Sequence, residues 1–318
     1  MTVFLSILVT AAILFLIFFA ACFIAFKKTF SKAKKSEKTE AEFYKKLNRL
    51  KYNNLAEKIK KDKKILEAVE CKDVAIFSRD NLRLTGKLYL SDNKNANSSV
   101  ILCHSHKSSG ELDFGTAFKM YREMNYNILL IDQRAHGDSD GRYTTMGIME
   151  SYDIVNWCRW LEMCFGTECR TVVHGVSMGA FASLAAAANP EMPANVQCII
   201  ADSIYPLIYE YIYKKAKGSM AFLAKPAVTF VNLFYKNHIG FDMRDFSLYT
   251  VSKAVKIPVL FIHPESSASA PLLYAESLMK RIPAKTEIVK IKKAPCGICF
   301  AKDEKLCADS VKKFIGEA

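Results

Sequence analysis

The sequence predicts an α/β protein: a mostly parallel sheet with helices on both faces and a helical cap, behind an N-terminal transmembrane helix. Three observations predict it. From residue 72 onward, short apolar runs of strand length alternate with longer stretches at helical spacing. Ahead of them, residues 1–26 carry no charge at all. Finally, HGVSMGA at 174–180 places a serine between two glycines, where a strand pattern gives way to a helix pattern.

The N-terminal run comes first. Roughly 24 apolar residues at about 1.5 Å each make a helix of about 36 Å, long enough to cross a ~30 Å hydrocarbon core with some tilt. A cleaved signal peptide would need a basic start, a shorter apolar run and a small-x-small cleavage site, and residues 1–26 contain neither Lys nor Arg. The reading is therefore an uncleaved anchor over 1–26. Lys27, Lys28, Lys32, Lys34, Lys35 and Lys38 all follow it, which by the positive-inside rule keeps the main domain in the cytoplasm. Ten cysteines scattered singly through 318 residues agree, as reduced thiols in a reducing compartment.

The formal net charge is +13, and residues 27–70 hold fifteen Lys/Arg against seven Asp/Glu. Basic charge concentrated beside a membrane favours anionic headgroups as partner and argues against nucleic acid. A solvated helical stalk explains it equally. Within this basic segment, 27–71, Phe43, Leu47, Leu50, Leu55 and Ile59 predict one helix over 40–68.

A domain over 72–318 follows. DVAIFS and LRLTGKLYL alternate around Asp80-Asn81 as a hairpin would. SVILCH, NILLID, TVVHG, QCIIAD, PVLFIH and TEIVKI read as buried strands. FGTAFKMYREM, MESYDIVNWCRWL, AFASLAAAA and DEKLCADSVKKFI read as helices. Residues 203–249, aromatic-rich and helical in pattern, interrupt the alternation. They suggest a cap over an apolar pocket or, on the blander reading, a second membrane-contacting surface.

Gly175-Val176-Ser177-Met178-Gly179 fits G-x-S-x-G, and its strand-to-helix context is that of a nucleophile elbow. With CHSHKSS (103–109), DQRAHGDSDG (132–141), ADSIYP (201–206) and HPESSASAP (263–271), in order and spacing, the chain over roughly 72–316 resembles the α/β-hydrolase family. The likeness is to its single-domain, serine-aminopeptidase-like and lipase-like branch. The resemblance implies Ser177 as nucleophile and an oxyanion hole from the backbone N–H groups of Met178 and His106. It implies no cofactor and no metal. His104-Ser105 stands where the family has His-Gly, and the serine fits only if that position does not need positive φ.

The same resemblance exposes what is missing. The base would sit in a context like A-x-H-G, and here Ala294-Pro295-Cys296-Gly297 puts Cys296 there; His263 is the last histidine of the chain. The acid position holds Ser267, with Glu265 two residues out of register and Asp202 a geometric substitute. Cys296-x-x-Cys299 thus reads as a replaced base; a redox pair, or a zinc site using Cys307, are the alternatives. His104, His136 and His174 read as structural, His238 as cap pocket or surface, and His106 as the one substitute base.

Together these imply a membrane-anchored serine-hydrolase-like protein, inactive or very weak, that binds an apolar acyl ligand. An active ester or peptide hydrolase with a rewired base and a membrane-tethered interaction module remain as alternatives.

Overall fold

The structure, a computed structural model, describes residues 1–33, 37–268 and 270–318. Its strands are β1 (Lys72–Phe77), β2 (Arg83–Tyr89), β3 (Ser98–Cys103), β4 (Asn127–Ile131), β5 (Arg170–Val176), β6 (Val196–Asp202), β7 (Val259–Pro264) and β8 (Thr286–Ile291). The helices before β6 are α1 (Thr2–Phe30), α2 (Glu37–Arg49), α3 (Asn53–Glu67), α4 (Gly110–Glu123), α5 (Ile148–Phe165) and α6 (Met178–Ala187). Those after it are α7 (Ile208–Met220), α8 (Ala224–Ile239), α9 (Leu248–Val251), α10 (Leu272–Met279), α11 (Cys299–Lys302) and α12 (Glu304–Glu317). Two compact units result, one of residues 32–206 and 247–318, the other of 1–31 and 207–246.

The larger unit is built on one eight-stranded sheet in the order β1-β2-β4-β3-β5-β6-β7-β8. β2 is antiparallel to both its neighbours, and every other pair is parallel. Strands β3 to β7 are buried along nearly their whole length because helices cover both their faces. Val100, Leu102, Ile128, Leu130, Val172 and Ile200 face one core, with Phe114, Phe118 and Tyr121 of α4 and Val311 and Phe314 of α12. On the other face α6 lies against β5 and β6, and α5 against α6. The predicted hairpin is β1–β2, with Asn81 at φ 59° in its turn.

The single helix expected over 40–68 is two, α2 and α3, broken where Lys51 takes φ 61°. The cause is visible in the spacing. The step of five from Leu50 to Leu55 leaves the 3.6-residue period, so the two apolar stripes lie on different faces. Leu50 is exposed, while Leu47, Leu55, Ala56 and Ile59 form one small core between the helices.

α3 is an integral layer of this unit. Gly115 lets α4 approach it, since a Cβ there would lie 2.9 Å from the Lys63 backbone nitrogen. Thr116 Oγ1 donates to Asp62 (2.6 Å), and Lys58 bridges Asp62 (3.0 Å) and Glu304 (2.7 Å).

The smaller unit joins α1 to the helices of the insertion. It takes residues 207–246 of the expected cap 203–249. α1 extends four residues past the expected end, through Lys27 and Lys28, and is long and apolar enough to cross a membrane, with mean hydropathy 3.0 over its most apolar stretch. Its last three turns pack on α8 through aromatic rings.

The α3–α4 contact yields a prediction. Gly115→Val should cost about 1–3 kcal/mol in thermal or denaturant unfolding, because the new side chain meets backbone that cannot move aside. Gly316→Ala, with open space around its Cβ in α12, should be neutral or slightly stabilising.

Candidate functional site

Ser177 sits at φ 53°, ψ −102°, between the end of β5 and the first residue of α6. No β-branched or bulky residue would hold this conformation readily, and the two flanking glycines make it possible. A Cβ on Gly175 would meet the Gly179 backbone at 2.3 Å, and one on Gly179 would lie 1.9 Å from the Cys103 carbonyl oxygen. The serine's own N–H donates to the Asp202 carbonyl (2.8 Å). Met178 opens α6, and its sulfur lies 3.3 Å from Thr144 Oγ1.

The loop after β3 runs against that helix start, since a Gly179 Cβ would also lie 2.9 Å from the His104 carbonyl. It is held from behind by Asp113, which accepts from the Ser105 N–H (2.5 Å) and from Ser108 Oγ (2.7 Å). Ser105 does not take positive φ; Lys107 does, at 56°. The serine in place of the usual glycine is therefore accommodated without strain. The structure thus brings the first turn of α6 and the loop carrying His106 together.

Two further loops converge nearby. Gly297, after β8, has φ 80°, and its Cβ position lies 3.5 Å from the Val176 side chain, one residue before Ser177. Its N–H donates to Ser203 Oγ (2.8 Å), which in turn donates to Asp202 Oδ1 (2.6 Å). Cys296 is half-buried with its thiol 4.0 Å from the Ser203 carbonyl. Ser267 is half-buried in the loop after β7, where its Oγ accepts from the Ala270 N–H (3.2 Å). Glu265 is exposed.

The histidines are mostly committed elsewhere. His104 Nδ1 donates to the Ser105 carbonyl (2.8 Å) and Nε2 accepts from the Gln133 N–H (3.2 Å). His136 Nδ1 donates to the Arg134 carbonyl and Nε2 accepts from the Lys107 N–H, both at 3.0 Å. These tautomers follow from the hydrogen-bond network. His174 contacts the Tyr121 hydroxyl (3.1 Å) between the rings of Phe114 and Phe300. His263 Nε2 donates to the Ala270 carbonyl (3.1 Å). Burial pushes His136 and His174 down to about 3 and His263 to about 4, so all three stay neutral. His238 lies in α8, its Nδ1 3.0 Å from the Phe234 carbonyl. His106 is half-buried, its ring 6.0 Å from that of His136.

None of the ten cysteines is in a disulfide. Cys299 does open a short helix, but burial first, and then the nearby Asp202, push its thiol well above the ordinary range, the reverse of a reactive thiol. Cys307 contacts the Cys299 carbonyl (3.6 Å). Among the described residues, no group of three His, Cys, Asp or Glu side chains could hold a metal ion.

In three dimensions the chain is similar to the esterase Pf2001 of Pyrococcus furiosus, with TM-score 0.62 and 22% identity, over 79% of this chain and 93% of that one. It is also similar to the α/β hydrolase GrgF from Penicillium sp. sh18, with TM-score 0.59 and 17% identity, over 78% and 99%. This is the α/β-hydrolase fold. No family model matches the chain. The uncharacterized protein YqkD of Bacillus subtilis (strain 168) is 25% identical over 183 residues, 58% of this chain, and the chain spans 59% of that relative's length.

Within this hydrolase fold the sequence reading missed Asp113 and Ser203. Asp113 lies four residues after Ser109, the serine that caps α4, and only the turned-back loop shows what it holds. Ser203 gives no local signal: it takes φ 57° and joins the β6 and β8 loops. Burial pushes Asp113 up to about 6 and Asp202 up to about 7, the second raised further by the first. Both line a cavity of about 10 Å³ with Thr116, Gly297, Ile298 and Phe300, room for about one water.

Asp202 yields a prediction. Its folded pKa lies above the ordinary 3.8, so the folded state binds the proton more tightly than the unfolded chain. Its contribution to stability is greatest below about pH 4 and falls as pH rises toward 7. Asp202→Asn should therefore flatten the loss of stability between about pH 4 and pH 7. Unfolding midpoints across that window check it, and an unchanged slope would show that Asp202 titrates normally.

Proposed function

We propose that this is a membrane-anchored protein of α/β-hydrolase fold whose Ser177 stands at an intact elbow without a triad base or acid, leaving ester turnover absent or very weak. Cys296 takes the base position and Ser267 the acid position, and the site serves to hold an apolar acyl ligand. One observation carries this reading. The loop beside the elbow presents a thiol, while His104, His136, His174 and His263 are buried and bonded elsewhere. A serine hydroxyl without a neighbouring proton acceptor is a poor nucleophile. Loss of triad members costs roughly 10⁴- to 10⁶-fold and leaves the modest catalysis of the oxyanion hole, here the N–H groups of Met178 and His106. α1 anchors the chain, and the Lys-rich segment after it meets anionic headgroups from the cytoplasmic side.

Active-site labelling with a fluorophosphonate tests the chemistry. Ser177 should react slowly or not at all; rapid stoichiometric labelling that Ser177→Ala abolishes would establish an active hydrolase with another base, and His106→Ala would then be the variant to make. Cys296→His combined with Ser267→Asp should raise short-chain ester turnover by about 10²- to 10⁴-fold, more than either change alone. A folded double variant no faster than the parent would count against these two positions. For topology, an impermeant thiol reagent on intact cells should not reach Cys164, the exposed cysteine.

A further inference from the structure

α8 lies along α1 in a definite axial register. Phe230 packs edge-on against Phe15, Phe18 and Phe19, with ring centroids 5.5–6.0 Å apart. Phe234 then meets Phe19 and Phe23 at 4.9 and 5.1 Å, and Tyr235 meets Phe30 at 4.9 Å. The contacts advance along both helices together, so the two run in the same direction. The start of α8, and the α7–α8 turn before it, therefore point toward the N-terminal half of α1.

Phe222, at that turn, precedes Phe230 by eight residues, about 12 Å of helical rise. This sets it level with α1 around residues 8–11. Every residue of α1 up to Ile17 is exposed, and so are Ala221, Phe222 and Pro226 at the turn, Phe222 at 86%. A bare phenylalanine at a hairpin tip, beside an uncovered apolar helix, fits one surrounding that suits both: hydrocarbon. Lys217 and Lys225, exposed on either side of the tip, have side chains long enough to carry their charges back to the headgroups.

The geometry points to the α7–α8 turn, led by Phe222, as a second membrane contact that enters the bilayer next to α1, from the side at which the C-terminal end of α1 emerges. The proposal rests on α1 being embedded in a bilayer. It also relocates the span. From Phe15 to Phe30 one face of α1 is docked on α8, and the segment exposed all along its length, the crossing segment, is residues 1–17, about 25 Å of helix, at the short end of what a membrane accepts. The hairpin then enters to a depth of about 10 Å, as an interfacial element does.

Full-length protein reconstituted in vesicles of phosphatidylcholine and phosphatidylglycerol, with and without acyl-chain-brominated lipid, tests this. Trp157 and Trp160 of the parent give a constant background, and the added emission of Phe222→Trp is read above it. That increment should be blue-shifted and lose more than half its intensity with brominated lipid, as should the increment of Leu8→Trp in α1. Quenching of Leu8→Trp without quenching of Phe222→Trp would overturn the proposal and leave the anchor standing. Failure of both would overturn the anchor and the proposal together.

Discussion

The meeting of the α6 start with the end of β3 is the constraint on which the site depends. With 1.9 Å between a hypothetical Gly179 Cβ and the Cys103 oxygen, no side chain fits, and the start of the helix is pressed directly onto the end of β3. Ser177 is thereby forced into a conformation that costs a non-glycine residue about 1–3 kcal/mol. The strain persists because flanking strands buried on both faces, and the bond from Ser177 to the Asp202 carbonyl, overdetermine it.

From that contact outward, buried polar groups hold the neighbouring loops in place. Asp113 clamps the loop after β3, and Ser203 ties the loop after β8 to Asp202. Neither bracket needs an imidazole. This explains physically how the loop carrying Cys296 keeps its place beside the elbow with no histidine on it. Burial in turn biases the carboxyl groups of Asp113 and Asp202 toward their neutral forms, in which they donate as well as accept.

The N-terminal segments divide between the two units. α3 belongs to the larger one through Gly115, Thr116 and the Lys58 ion pairs, so part of the basic segment is tertiary structure and not a solvated stalk. α1 belongs with α7 and α8 through an aromatic seam, and its apolar character therefore serves protein packing on one face from Phe15 onward and exposure ahead of it.

The order of strands and helices, the hairpin at Asn81 and the elbow at Ser177 were legible in the sequence because each rests on local periodicity or on a conformation only certain residues allow. The break between α2 and α3 was not read from the sequence, because the helical spacing on either side concealed the five-residue step from Leu50 to Leu55. The absence of an imidazole after β8 is a property of the sequence alone, since no histidine follows His263. What only the tertiary structure decided are the pairings between residues distant in sequence: Asp113 with Ser105, Ser203 with Gly297, Gly115 with α3, Phe230 with α1. A side chain's partner across such a gap is set by how whole elements pack, and its own sequence neighbourhood carries no trace of it.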